Sequence, residues 1–389
     1  MKRIRISLLG KVGMAIGLGI IFGLFLPTGI ARIFVTFNSL FSSFLSFAIP
    51  LIILGLVVPA IGDLGKSAGK LLAITTIIAY GSTLFSGFFT YFSVDATLPF
   101  LLPENFEINN VENPEDMMLH TFFKIDMPPL MDIMTALLIS FVVGLGLSAI
   151  KGDTLKKSFI DFQQIIVGLI EKVIIPLLPI HIFGIFLNIT KSGQVATIIG
   201  MFIKVILIIF VLHVVLLLIQ FIIAGSVAKR NPFILLKNML PAYTTALGTQ
   251  SSAATIPVTL KQALKNGVSE SIASFVIPLC ATIHLSGSTM KIVACAMAIM
   301  FMVGEPVGFM QISGFIMMLG VIMVAAPGVP GGAIMAAIGI LQSMLGFNET
   351  QIALMIALYI AMDNFGTACN VTGDGAIAVV IDKIAGKQH

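Results

Sequence analysis

Apolar stretches at about 9–27, 38–61, 70–94, 128–150, 157–188, 198–226, 270–300, 306–326 and 351–381 alternate with short polar connections. A helix needs about 20 apolar residues to cross the hydrocarbon core, so this pattern predicts an all-α polytopic membrane protein. Two segments break the pattern. Residues 232–264, PFILLKNMLPAYTTALGTQSSAATIPVTLKQAL, carry Thr244, Thr245, Thr249, Gln250, Ser251, Ser252 and Thr255 between two apolar arms, with Pro257 beyond. Basic residues flank both ends (Lys237, then Lys261 and Lys265), so both ends belong on one side of the membrane. That describes a re-entrant hairpin, whose tip must be satisfied by protein or water. The second, residues 323–345, contains Pro327, Gly328, Pro330, Gly331 and Gly332, which no regular helix accommodates. A kinked spanning helix would also fit, but two interrupted segments in one half favour paired hairpins at a midplane site.

The last apolar stretch holds the most informative polar cluster. Asp363, Thr367, Asn370 and Asp374 stand at offsets of 0, 4, 7 and 11. On one helix they fall within about 60° of each other. Ionisable groups at bilayer depth cost at least about 2.5–3.5 kcal/mol each and usually face a cavity or pathway. The stripe therefore reads as a site for a cationic group together with a metal ion or proton. Plainer readings exist: Thr367 could bond the carbonyl of residue 363, and Ser251 and Ser252 could cap a helix. Glu305 and Lys291 are expected to face the aqueous edge or pair locally, and receive no role.

Composition agrees with the membrane reading. Of 389 residues 58% are hydrophobic and only 10% charged, with a mean hydropathy of +1.08. Thirty Phe accompany no Trp and four Tyr, so the interfacial aromatic belt is weak. The three cysteines lie in apolar segments without metal-type spacing and read as packing residues. The first apolar run follows Lys2, Arg3 and Arg5; it lacks a clear cleavage site and reads as a retained helix. Lys66 and Lys70, then Lys151, Lys156 and Lys157, then Lys229, Arg230 and Lys237 occupy alternate connections, while residues 96–126 are acidic and Asn-rich. The positive-inside rule places the basic connections and both termini in the cytoplasm, in a multi-pass protein of the cell (inner) membrane. The net charge of +4 reflects this anchoring among lipids, and nucleic-acid binding is disfavoured.

Four motifs then become specific in combination: TQSSAATIPVT (249–259), IPLCATIHLSGST (277–289), GVPGGAI (328–334) and MDNFGTACNVTGD (362–374). In this order they resemble the dicarboxylate/amino acid:cation symporter family, which includes glutamate transporters and bacterial serine/threonine transporters. The resemblance is strongest over about 230–383. It implies a glutamate-transporter-like elevator fold with eight transmembrane helices and two re-entrant hairpins, assembled as a homotrimer. It divides the chain into scaffold parts at 1–69 and 126–190, and transport parts at 70–125 and 191–389. By the same resemblance Asp363 matches the carboxylate holding a substrate α-ammonium, and Thr367 and Asn370 match side chains contacting the substrate. Ser251 and Ser252 match the serines near the α-carboxylate, which the backbone amides beside Ser252 receive. Val329 and Gly331 match the second hairpin's tip. Asp374 matches a sodium ligand, with backbone carbonyls near Asn370, and Thr282 lies near a second sodium.

The departures are informative too. Where family members carrying acidic substrates have an arginine, this chain has Gly366, and Gln250 precedes the hairpin serines. The four arginines, Arg3, Arg5, Arg32 and Arg230, match no such position. A buried second carboxylate would lack its best partner. A small neutral amino acid therefore fits best, Gly366 leaving room for its side chain. A dicarboxylate or acidic amino acid is the alternative, received by His284 or Lys291. The family's Asn-Met-Asp-Gly-Thr segment reads His284-Leu285-Ser286-Gly287-Ser288 here, which weakens one sodium site. A free imidazole is the side chain suited to carrying a proton near physiological pH, so a proton on His284 in place of one sodium is the sharper expectation and a backbone hydrogen bond the plainer one. An intramembrane enzyme would leave the hairpins unexplained. A channel or a non-transporting receptor would not show saturable exchange.

Overall fold

The computed structural model describes residues 8–66, 70–101, 119–193, 195–304, 308–326 and 330–385, and these contain helices and no strand. The helices are α1 (Leu8–Phe25), α2 (Thr28–Lys66), α3 (Lys70–Leu101), α4 (Ile133–Ala149), α5 (Thr154–Leu169), α6 (Ile175–Lys191), α7 (Val195–Ala228), α8 (Pro232–Thr249), α9 (Ser252–Lys265), α10 (Glu270–Ile283), α11 (Ser286–Val303), α12 (Phe309–Ala325), α13 (Gly332–Leu345), α14 (Glu349–Ala361) and α15 (Asp363–Ala385). A π-helical turn at Ile170–Ile174 joins α5 to α6 directly before Pro176. Five spans are long and apolar enough to cross a membrane, with α5–α6 and α10–α11 each counted as one, and α14–α15 form a sixth pair bent by 61°. Helices α1 and α4 are apolar but shorter.

Helix packing follows chain order only in part. Helix α2 lies along α4, α5 and α6, and α1 along α6. Helix α3, although it sits early in the chain, packs on α10, α11, α12 and α15 with the C-terminal half. Helix α11 is buried from Ser286 through Met300, and α13–α15 are buried along most of their length. Such all-round burial matches their sequences, which carry no polar face except at the candidate site.

Both interrupted segments fold as helix–tip–helix pairs. In the first, Asn231 caps α8 by accepting from the amides of Phe233 and Ile234, and Pro232 fills the first helical position. Gln250 turns the chain at φ 55°, and Ser251 caps α9 by accepting from Ala254 N. In the second, α12 ends at Ala325, and Gly331 at φ 76° opens α13. That left-handed backbone is why glycine stands there. Pro327, Gly328 and Val329 lie outside the described residues, as does Glu305. At the first tip Gly248, Thr249, Ala253 and Ala254 are exposed, and helix α13 is buried through Leu341.

The polar stripe lies on one helix, α15, as its spacing predicts, but the apolar run that precedes it does not continue straight into that helix. The chain bends at Met362, and Asp363 becomes the first residue of α15. A carboxylate there is favoured by the positive end of the helix dipole, which the straight-helix reading did not include.

Candidate functional site

The two-residue break between α10 and α11, His284 and Leu285, organises the site. A break frees amides and carbonyls that a continuous helix would consume, and buried ones must find partners. They find them on four neighbours. From α15, the Asn370 side-chain oxygen accepts from Gly287 N at 2.7 Å and Ser288 N at 3.3 Å, and its amide donates to Ser288 Oγ at 3.0 Å. From α3, Ser86 donates to the Ser286 carbonyl at 2.6 Å. From α7, His213 Nε2 meets the Gly287 carbonyl at 3.1 Å, and Gln220 donates to Ser82 Oγ at 3.1 Å and Ser286 Oγ at 3.3 Å. From α14, Tyr359 donates to Ser288 Oγ at 3.2 Å. Gly287 permits this closeness, since a Cβ there would stand 2.7 Å from both Cys369 Cβ and the Gly366 carbonyl.

Two carboxylate pairs flank the network. His284, fully buried, has Nδ1 2.8 Å from Asp374 Oδ1 and Nε2 3.0 Å from Ser82 Oγ. Asp374 is itself 1% exposed. A turn further along α11, Lys291 Nζ lies 3.0 Å from Asp363 Oδ1. The other oxygen of Asp363 accepts from Gly331 N at 2.8 Å, which ties the second hairpin's tip to the start of α15. The first hairpin reaches the same region: Gln250 donates to Asn364 Oδ1 at 2.7 Å, and Asn364 donates to the Leu247 carbonyl at 3.1 Å.

Lys291 corrects the expectation of an aqueous edge. It is wholly buried, with its ammonium over the Tyr359 ring, 3.6 Å from the centroid. The vacancy at Gly366 accommodates it, since a Cβ there would stand 2.3 Å from Lys291 Cε and 2.6 Å from Nζ. The sequence carried the signal, because Lys291 is the one Lys, Arg, Asp or Glu between 271 and 304. Ser82, Ser86, His213, Gln220 and Tyr359 were also missed. His213 and Gln220 stand seven residues apart, and Ser82 and Ser86 four apart, each spacing marking one helix face.

Of the residues singled out from sequence, Asp363, Gly366, Thr367, Asn370 and Asp374 are buried along α15, and Gly331 meets Asp363. Ser251 and Ser252 lie at the first tip, where Ser251 caps α9 and Ser252 is buried. Thr282 is not part of the buried network: it is exposed and its hydroxyl donates to the Leu279 carbonyl at 2.7 Å. Among the described residues no three His, Cys, Asp or Glu side chains cluster as a metal site. Any ion bound here would rely on carbonyl and amide oxygens beside a single carboxylate.

Comparison with known proteins places this geometry. Residues 8–384 match the model of the sodium:dicarboxylate symporter family. The chain is 27% identical over 395 residues to the serine/threonine transporter SstT of Acinetobacter baumannii, covering 97% of both chains. It is 28% identical over 254 residues to the human excitatory amino acid transporter 2, covering 63% of this chain, and 32% identical over 163 residues to the human excitatory amino acid transporter 5. It spans less than half the length of these two human relatives, 43% and 29%. A match running from the first described helix to the last makes the assignment plain: this multi-pass membrane protein belongs to the sodium:dicarboxylate symporter family.

Proposed function

We propose that the chain is a secondary transporter that moves a small neutral amino acid, such as serine, threonine or alanine, together with sodium. The observation that carries this reading is convergence. Asn370 and Asp374 face the α10–α11 break, Asp363 meets Lys291 further along α11, and both hairpin tips meet the first turn of α15. Asp363 would hold the substrate's ammonium and Thr367 and Asn370 its body. The first-hairpin serines Ser251 and Ser252 would lie near its carboxylate, with Val329 and Gly331 as the opposite gate. The near-full-length likeness to a serine/threonine transporter favours the same substrate class.

Sodium is cargo here. Asp374 would be its carboxylate ligand, with carbonyls near Asn370, and a second ion would use carbonyls near Thr282. His284 already holds Asp374 Oδ1, so a sodium ion reaching that oxygen must displace the imidazole. A proton carried by His284 in place of one sodium is the variant reading this contact favours.

The packing supports an elevator. Helices α1, α2 and α4–α6 would form the scaffold of a homotrimer in the inner membrane, and α3 with α7–α15 the moving part, with eight spans and two re-entrant hairpins. The exposed first tip fits a carrier open to the side of the basic connections. The termini would lie on that cytoplasmic side.

A second reading, transport of a dicarboxylate or acidic amino acid, is favoured by one observation: the Lys291 ammonium stands in the space left by Gly366. Thermal stabilisation of the purified protein by serine, threonine, alanine, cysteine, aspartate and succinate, with and without sodium, separates the two. A ligand that binds the native state raises apparent stability by mass action. Sodium-dependent stabilisation by a neutral amino acid supports the main reading, and stabilisation by aspartate or succinate supports the second.

A further inference from the structure

We propose that Lys291 is a tethered counter-ion, its ammonium occupying on Asp363 the place that a substrate's ammonium takes when the carrier is loaded. The inference rests on reading Asp363 as the residue that binds the substrate amine. Lys291 is fully buried and Asp363 is 5% exposed, so neither charge has water to stabilise it. An unpaired carboxylate in that setting is strongly disfavoured, whereas the pair is tolerated. Around the pair the other partners are dipoles: Gly331 N on Asp363 Oδ2, the Met362 carbonyl 3.5 Å from Nζ, and the Tyr359 ring face. Among the described residues Lys291 is the cation that neutralises Asp363.

The charge count then separates the two legs of a transport cycle. Empty, the pair sums to zero. A zwitterionic amino acid adds zero, its ammonium taking Asp363 while the flexible lysine stem withdraws its own ammonium onto the Tyr359 ring and Met362 carbonyl it already contacts. A dicarboxylate would add two negative charges. The pair therefore lets the empty site cross the membrane with no borrowed ion, and selects substrates that bring their own ammonium. Without Lys291, the loaded form stays compensated by the substrate, and the empty form strands Asp363.

The test is a comparison of Lys291→Met with the parent in proteoliposomes. Exchange of radiolabelled serine against internal serine is measured beside net serine uptake into amino-acid-free vesicles under a sodium gradient. The expected result is exchange within about threefold of the parent and net uptake lowered about a hundredfold, as a stranded buried charge implies. Lys291→Arg should keep net uptake. Equal retention of both activities in Lys291→Met overturns the proposal, and so does loss of exchange in a monodisperse variant, which would make Lys291 a direct substrate receptor. A measurement on the parent alone guards against a variant that does not fold. Serine should stabilise the protein and glycerate, its counterpart without the amine, should not; equal stabilisation by both overturns the exchange of ammonium groups on Asp363. A parent that neither exchanges nor is stabilised by serine, alanine or threonine overturns the substrate reading itself, and with it this one.

Discussion

His284 Nδ1 and Asp374 Oδ1 lie 2.8 Å apart, and the second ring nitrogen is held by Ser82 at 3.0 Å. The imidazole is thus anchored on the oxygen where a sodium ion would bind. His284→Asn is expected to lower the sodium concentration needed for amino-acid-induced stabilisation by about tenfold, since displacing one charge-assisted hydrogen bond costs about 1.5–3 kcal/mol. Titrating the melting temperature against sodium at fixed serine checks this. An unchanged titration means that the ion does not use Asp374 Oδ1. The same variant decides the proton question, because transport that keeps the parent's pH dependence removes His284 as the carrier.

Gly331 combines a left-handed backbone, φ 76°, with an amide bonded to Asp363 Oδ2. Gly331→Ala adds about 1–2 kcal/mol of strain at that conformation. The expected outcome is an initial transport rate about five- to thirtyfold lower at matched expression. Asp363→Asn should be more severe, since it leaves Lys291 buried without a counter-charge at a cost of about 3–5 kcal/mol. Full activity in Gly331→Ala would show that the second hairpin does not need this geometry.

Gly366 and Lys291 share one volume, so the cation of this site comes from α11 and cannot also come from α15. Gly366→Arg alone is expected to abolish serine transport, because it forces two cations and a clash into a buried space. Pairing it with Lys291→Leu should restore folding and shift preference toward aspartate over serine by about tenfold or more. Competition of both amino acids against labelled serine and labelled aspartate reads the shift. A double variant with the parent's selectivity would show that the position of the cation does not set substrate class.

Asn364 bonds both Gln250 and the Leu247 carbonyl, fastening the first hairpin to α15. Asn364→Ala removes two hydrogen bonds worth about 0.5–1.5 kcal/mol each. A cysteine introduced at Ala253 should then react about tenfold faster with a membrane-impermeant thiol reagent from the cytoplasmic side. The native cysteines Cys280, Cys295 and Cys369 are buried and leave a low background. Unaltered labelling would mean that the hairpin is held by its apolar arms.

The hairpins and the α15 carboxylates were legible because each violates a local rule: polar residues inside an apolar run, or prolines and glycines where a helix should continue. The bend at Met362 was not legible, since QIALMIALYIAMDNFG contains no strong breaker before Gly366. Tertiary packing sets it, as the Asp363 carboxylate is drawn to Lys291 and Gly331. Lys291 itself was legible in principle. The depth argument that marked Asp363 and Asp374 applies equally to a lone lysine in an apolar helix, and was not applied to it. Ser82, Ser86, His213 and Gln220 were harder. A serine or glutamine in an apolar helix has many innocent explanations, and their common target, residues 284–287, lies 66 to 202 residues away along the chain.

The break at His284 and Leu285 carries one more implication. The break and the first turn of α11, residues 284–288, touch α3, α7, α14 and α15 at once; His284 in the break holds Asp374, and Lys291 further along α11 holds Asp363. On the proposed function, the carboxylate that would take the driving ion and the one that would take its passenger are both held from residues 284–291. A change in this stretch would then be felt at both carboxylates, and linkage between ion and passenger would need no signal relayed over distance.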